Sequence, residues 1–159
     1  PRVLGGERTE RRVEWPDSAE LAPRPLPATL ATELRSSVVP ALLPRHEQWW
    51  EHASAVAGPH GTAVTMRHEG ATLIASGSRL ARLYPHLRGA QGSPRLRDQT
   101  AFLTRNEHVW HLAWVERGVA YSLELACDEV SDARCTDDGF VQRVAQTMVW
   151  ANPATGETP

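Results

Sequence analysis

At 159 residues the chain has the length of one domain with a little left over for tails. With 41% apolar and 23% charged residues it can bury a core, and a net charge of −2 provides no overall field that would draw in nucleic acid. These values exclude a wholly disordered chain, a coiled coil and a generic polyanion binder. Two oddities stand out: all 17 basic residues are arginine, and six tryptophans outnumber two tyrosines and two phenylalanines.

Residues 1–27 are rich in charge and proline (Pro16, Pro23, Pro25, Pro27) and have no apolar period. They are expected to form an extended arm or tether, with Trp15 as its anchor onto the domain or onto a partner. The chain opens on Pro1 instead of methionine, so an upstream piece, either a leader or an arbitrary boundary, is expected to have been removed. No run of 18 apolar residues predicts a transmembrane helix. From Ala28, the four-residue spacing of Leu30, Leu34 and Val38 predicts a helix that Pro40 interrupts. A second helix is expected over about 44–56, with Trp49, Ala53 and Val56 on one stripe and Glu47 and Glu51 on a polar face.

The period then changes to two. Stretches 62–67 and 71–76 flank a turn at Glu69-Gly70, and pairing positions that sum to 139 sets Met66 opposite Leu73 and Val64 opposite Ala75. Segment 78–98 is less regular: Leu80, Leu83 and Leu87 suggest a short helix, and Gly89, Gly92 and Pro94 suggest a loop. A strand over 100–104 is expected to lead through Arg105-Asn106-Glu107 into a hairpin of 108–115 and 119–127 that turns at Arg117-Gly118. Partners summing to 235 pair Trp114 with Tyr121, Leu112 with Leu123, Trp110 with Leu125 and His108 with Cys127, which gathers the large apolar residues on one face. Thr136-Asp137-Asp138 reads as the N-terminus of a last helix whose apolar residues, Phe140 through Val149, lie on that face, with Trp150 closing it. The tail 151–159 is expected to be flexible.

The fold class that follows is α+β. An antiparallel sheet of about five strands, built as two hairpins in a meander, is covered on one face by N-terminal helices and a C-terminal helix. The domain spans 28–150, between the arm at 1–27 and the tail at 151–159.

Cys127 and Cys135 fit neither a Cys-x-x-Cys redox motif nor a four-ligand metal set. They are expected to form a disulfide across a strand-to-helix loop, and with it to signal an oxidising compartment. His46-Glu47-Gln48-Trp49-Trp50-Glu51-His52 matches neither zinc-protease helix pattern, since tryptophan stands at 50 and glutamine at 48. His108 opposite Cys127 could activate a thiol nucleophile, a reading that a disulfide removes. The absence of lysine excludes a P-loop and Schiff-base chemistry. Charge is lopsided: residues 77–105 carry six arginines against one acid, and 119–138 carry six acids against one arginine. Arginine forks bind carboxylates and phosphates, so Arg88, Arg95 and Arg97 are candidates for an anionic partner.

These features point to a small, non-enzymatic, exported binding module, periplasmic or at the cell surface, tethered through its arm and meeting another protein or a cell-envelope component. No catalytic residue, cofactor, metal or nucleic acid is expected. The alternatives are a hydrolase or transferase whose groups converge only in three dimensions, and a cytoplasmic adaptor or immunity-type protein.

Overall fold

The computed structural model describes residues 7–83 and 94–152. In chain order the elements are β1 (Glu7–Glu10), α1 (Ala28–Leu34), β2 (Leu42–Leu43), β3 (Ser54–Ala57), β4 (Gly61–His68), β5 (Ala71–Ser78), β6 (Leu80–Leu83), β7 (Arg95–Leu96), β8 (Gln99–Asn106), β9 (Val109–Glu116), β10 (Val119–Cys127), α2 (Ala133–Thr136), α3 (Gly139–Thr147) and β11 (Val149–Trp150). Among the described residues, seven strands form one antiparallel sheet in the order β3-β4-β5-β10-β9-β8-β7, and β1-β6 and β11-β2 form two small sheets. The class is α+β, with a wider sheet and less helix than expected.

Both sequence-derived registers hold. Met66 lies opposite Leu73 and Val64 opposite Ala75 in one hairpin, and Trp114 opposite Tyr121, Leu112 opposite Leu123 and Trp110 opposite Leu125 in the other. The turns explain why: Glu69-Gly70 and Arg117-Gly118 both have positive φ at each position, the tight two-residue geometry that matches the twist of paired strands. The inward face of Val64, Met66, Leu73, Leu112, Trp114, Tyr121, Leu123 and Leu125 is buried with Leu30 and Leu34 of α1 and Val141 and Ala145 of α3. Tyr121 lies against Gly77, where a Cβ would stand 2.8 Å from the ring.

Four expectations need correction. The helix from Ala28 stops at Leu34 instead of reaching Val38: the Ser37 amide donates to Leu34 O in a tighter three-residue turn, and the Ser37 hydroxyl donates to Val39 O in the extended stretch that follows. In place of a second helix over 44–56 there is one 3-10 turn, Glu47–Trp49, followed by β3. Adjacent Trp49 and Trp50 are both buried, and Ser54–Ala57 gains a ladder on β4. Leu80–Leu83 is a strand paired with β1. The β8–β9 turn is Glu107-His108, so His108 lies outside the ladder, and Cys127 pairs with Ala71 of β5.

The last helix is split as well. Asp132 caps α2, accepting from the Arg134 amide at 2.9 Å, and the Asp137 carboxylate accepts from the Gly139 amide at 2.9 Å at the start of α3. Met148 turns extended, and Trp150 leaves the helix to pair with Leu42. The N-terminal stretch is extended over much of its length and lies against the domain. The Arg11 amide donates to Arg79 O, the Glu14 amide to Arg117 O, and Ala22 and Leu26 enter the core. Ala151, assigned to the tail, is buried with its amide on Ala41 O.

Candidate functional site

The 3-10 turn that replaces the second helix builds the most site-like concavity. Trp50 folds back so that its indole Nε1 donates to Pro44 O at 2.9 Å, and the Trp49 amide donates to His46 O at 3.2 Å. This turn seats Trp49 against the inner end of β4 and against α3, with its ring 5.5 Å from His68, edge-on, and 6.5 Å from Phe140. Between the turn and α3 runs an open groove of about 570 Å³ with Pro44, Trp49, Phe140 and Val144 as its apolar lining. That volume is in the range of natural ligand pockets.

The groove's rim is mostly basic, with Glu69 as its one carboxylate. Arg45 precedes the turn, and Arg143 stands one turn along α3. Among the described residues neither guanidinium has an ion-pair or hydrogen-bond partner. Arg134, at the groove's end, is occupied instead: Nε donates to both Asp132 oxygens at 3.0 and 3.2 Å, Nη1 to His68 O at 3.2 Å and Nη2 to Glu69 O at 2.6 Å. These bonds tie the disulfide loop to the β4–β5 turn and fix that wall of the groove. The hydrogen bond from Arg134 holds the Asp132 carboxyl down at about 2.

Of the residues singled out in the sequence, Cys127 and Cys135 form a disulfide, with Cα atoms 6.1 Å apart. This disposes of a Cys127 nucleophile. Arg97 is sequestered: Nε and Nη2 grip Glu116 at 2.8 and 3.2 Å, Nη1 donates to Met148 O, and its amide donates to the Gln146 side chain. Arg95 is exposed and donates to Asp98 O at 2.8 Å. Arg88 lies outside the described residues. Trp15 is 54% exposed and borders a hollow of about 220 Å³ with Leu21, Leu34 and Pro40. Arg97 and Arg117 both lie against the Trp150 ring, and Arg117 donates to Trp15 O at 3.5 Å, so these groups are spent on internal contacts.

The other concavities suit recognition less well. A cleft of about 720 Å³ beyond Arg45 and His46 is evenly polar and apolar, and Arg24 and Glu47 in its lining are already joined in a 2.6 Å ion pair. The void beside Tyr121 is about 10 Å³, enough for one water at most. Burial, and then the Glu116 charge, pushes the Tyr121 hydroxyl far above the ordinary tyrosine range, and it donates to Pro40 O at 2.8 Å, a structural role. Among the described residues no group of three or more His, Cys, Asp or Glu could hold a metal, and no helix is long and apolar enough to cross a membrane.

Sequence reasoning missed Arg45 and Arg143. Phe140 and Arg143 lie three apart on α3, so a helical projection sets them side by side, but their junction with Trp49 depends on the turn that the sequence disguised as helix. Compared with protein-family models, with curated proteins and with solved structures, the chain matches none.

Proposed function

We propose that this chain is an exported interaction module that holds an anionic partner, bearing an apolar side group, in the groove between the 44–49 turn and α3. The observation that carries the reading is the placement of two unpartnered guanidinium groups, Arg45 and Arg143, beside a floor of Trp49, Phe140 and Val144. A guanidinium fork binds carboxylate or phosphate in two parallel hydrogen bonds, while Phe140 and Val144, backed by the buried Trp49, offer aromatic and aliphatic surface to a side chain. The partner is another protein or a cell-envelope component. The disulfide supports an extracytoplasmic setting, since such bonds persist where thiols are not kept reduced.

The test is calorimetric titration with two short peptides of equal length, one of aspartate and glutamate around a single phenylalanine, the other with arginine at the acidic positions. The acidic peptide binds, its affinity falls as salt rises, and Arg45→Gln and Arg143→Gln each weaken it by roughly 5- to 10-fold, the equivalent of about 1–1.4 kcal/mol. Equal binding of the two peptides, or no effect of either substitution, overturns the reading.

A further inference from the structure

The other side of the seven-stranded sheet carries a second surface that the groove does not use. Its outward side chains on β4, β5, β8, β9 and β10 are all partly or fully exposed. One cross-strand row can be followed through successive ladders: Val56, Ala63, Ser76, Ser122, Ala113, Phe102. It is bulky at both ends and small in the middle, with Val56 75% and Phe102 42% exposed. Over the six strands β3 to β8, the outward face carries two charged side chains, Arg67, already paired with Asp128, and Glu124, opposite His111 on β9. A sheet face left to water ordinarily alternates to polar and charged residues, so a face this poor in charge, with Glu124 beside His111 as the one carboxylate on its central strands, is suited to being covered.

We infer that the cover is a second copy of this chain, packed sheet against sheet about a two-fold axis. Three observations select that occupant. First, strand spacing of about 4.8 Å and a rise of about 3.4 Å per residue give six strands of four to nine residues a face of roughly 700 Å². That is close to the ~800 Å² per partner of a standard stable interface. Second, the face has a projection and a recess of its own. Val56 projects at the β3 end, and a hollow of about 360 Å³ lies at the opposite end between Phe102, Ala113, Val115 and Ala120. Third, β5 and β10 are the middle pair of the six strands, and Ser76 faces Ser122 there.

A two-fold axis parallel to the strands at that pair keeps each residue's height along the strand and exchanges the two ends of the row. Val56 of each copy then comes over the Phe102–Ala113 end of the other, and its side chain enters the hollow, twice by symmetry. The small residues along the middle of the row let the two sheets reach the ~10 Å spacing of a β-sandwich.

Sedimentation equilibrium of the full chain tests this. The wild type has twice the 17.6 kDa mass of the chain at concentrations up to about 100 µM, where a micromolar dimer is assembled. Val56→Asp, which sets a carboxylate against an apolar hollow, and Ser122→Arg, which brings like charges together near the axis, each weaken association at least 10-fold. Val130→Asp, an exposed apolar residue off this face, leaves it unchanged. All the substituted positions reach solvent in the single copy, so melting curves should match the wild type at concentrations too low for the dimer to form. A monomeric wild type over that range, or a dimer unaffected by both Val56→Asp and Ser122→Arg, overturns the inference.

Discussion

Arg97 and Glu116 meet as a two-point ion pair, at 2.8 and 3.2 Å, with their side chains only 12% and 14% exposed. The Trp114 indole donates to the same carboxylate at 3.1 Å, and the Arg97 guanidinium lies 5.5 Å from the Trp150 ring, so one pair ties the β7–β8 turn, β9 and β11 together. Arg97 also has positive φ in the β7–β8 turn, a strained conformation for a non-glycine residue that these contacts hold in place. Removing one member leaves the other's charge nearly out of water, so Arg97→Ala is expected to cost about 2–4 kcal/mol in urea unfolding. Arg97→Lys recovers only part of this because an ammonium cannot span both oxygens. A loss below about 0.5 kcal/mol, the level of an exposed pair, would show that the pair is solvated.

Reduction of Cys127–Cys135 opens a short loop between β10 and α2. In the chain-entropy model this removes roughly 2–3 kcal/mol, read as a lower unfolding midpoint for the paired Cys127→Ser, Cys135→Ser variant. The Trp110 indole donates to Cys135 O at 3.0 Å, so the same variant should also shift the tryptophan emission. Unchanged midpoint and emission would mean that the packing of α2 carries the loop without the bond.

Acid acts on Asp132 with a definite sign. Its carboxyl is held at about 2 by the Arg134 hydrogen bond, below its ordinary 3.8. A carboxyl with a lowered folded value contributes stability above its unfolded value and loses it as pH falls through the folded one. The contribution is therefore complete above about pH 4 and fades toward about pH 2. Asp132→Asn keeps the helix cap and removes the charge, so its melting temperature should lie below wild type at pH 7 and converge with it at pH 2. A gap that is constant with pH would contradict this.

Gly118 combines a φ of +77° with a backbone approach so close that a Cβ would lie 2.0 Å from Arg12 O. Gly118→Ala must therefore displace the N-terminal segment or bend the β9–β10 turn, at about 1–2 kcal/mol. Limited digestion with an arginine-specific protease should cut the variant faster at Arg8, Arg11 and Arg12, and an unchanged rate would show that the segment is not held by this turn.

The elements legible in the sequence were those whose determinants are local. Glycine in a two-residue turn with alternating neighbours sets both registers, and eight-residue spacing on a strand-to-loop segment was enough to pair the cysteines. The misreadings arose where distant partners decide. The apolar spacing of Trp49, Ala53 and Val56 fits a helix, but β4 offers 54–57 a ladder, and the Glu33 carboxylate accepts from the outward Ala55 amide at 2.7 Å, closing that sheet edge. Leu80–Leu83 becomes a strand through Glu7–Glu10, whose paired positions lie 70 to 76 residues earlier. Arg97 looked available because its partner Glu116 belongs to another strand. The groove was invisible for the same reason: Trp49, His68 and Phe140 come from three separate segments.

The central claim is that the groove beside Trp49 is the recognition surface. Its most direct test is an NMR titration of isotope-labelled protein with the acidic phenylalanine peptide, following backbone amides and the Trp49 indole. Shifts confined to residues 44–49, 68–69 and 140–147 are predicted, and they should be absent in the Arg45→Gln, Arg143→Gln double variant. Shifts centred elsewhere, or unchanged in the double variant, would contradict it.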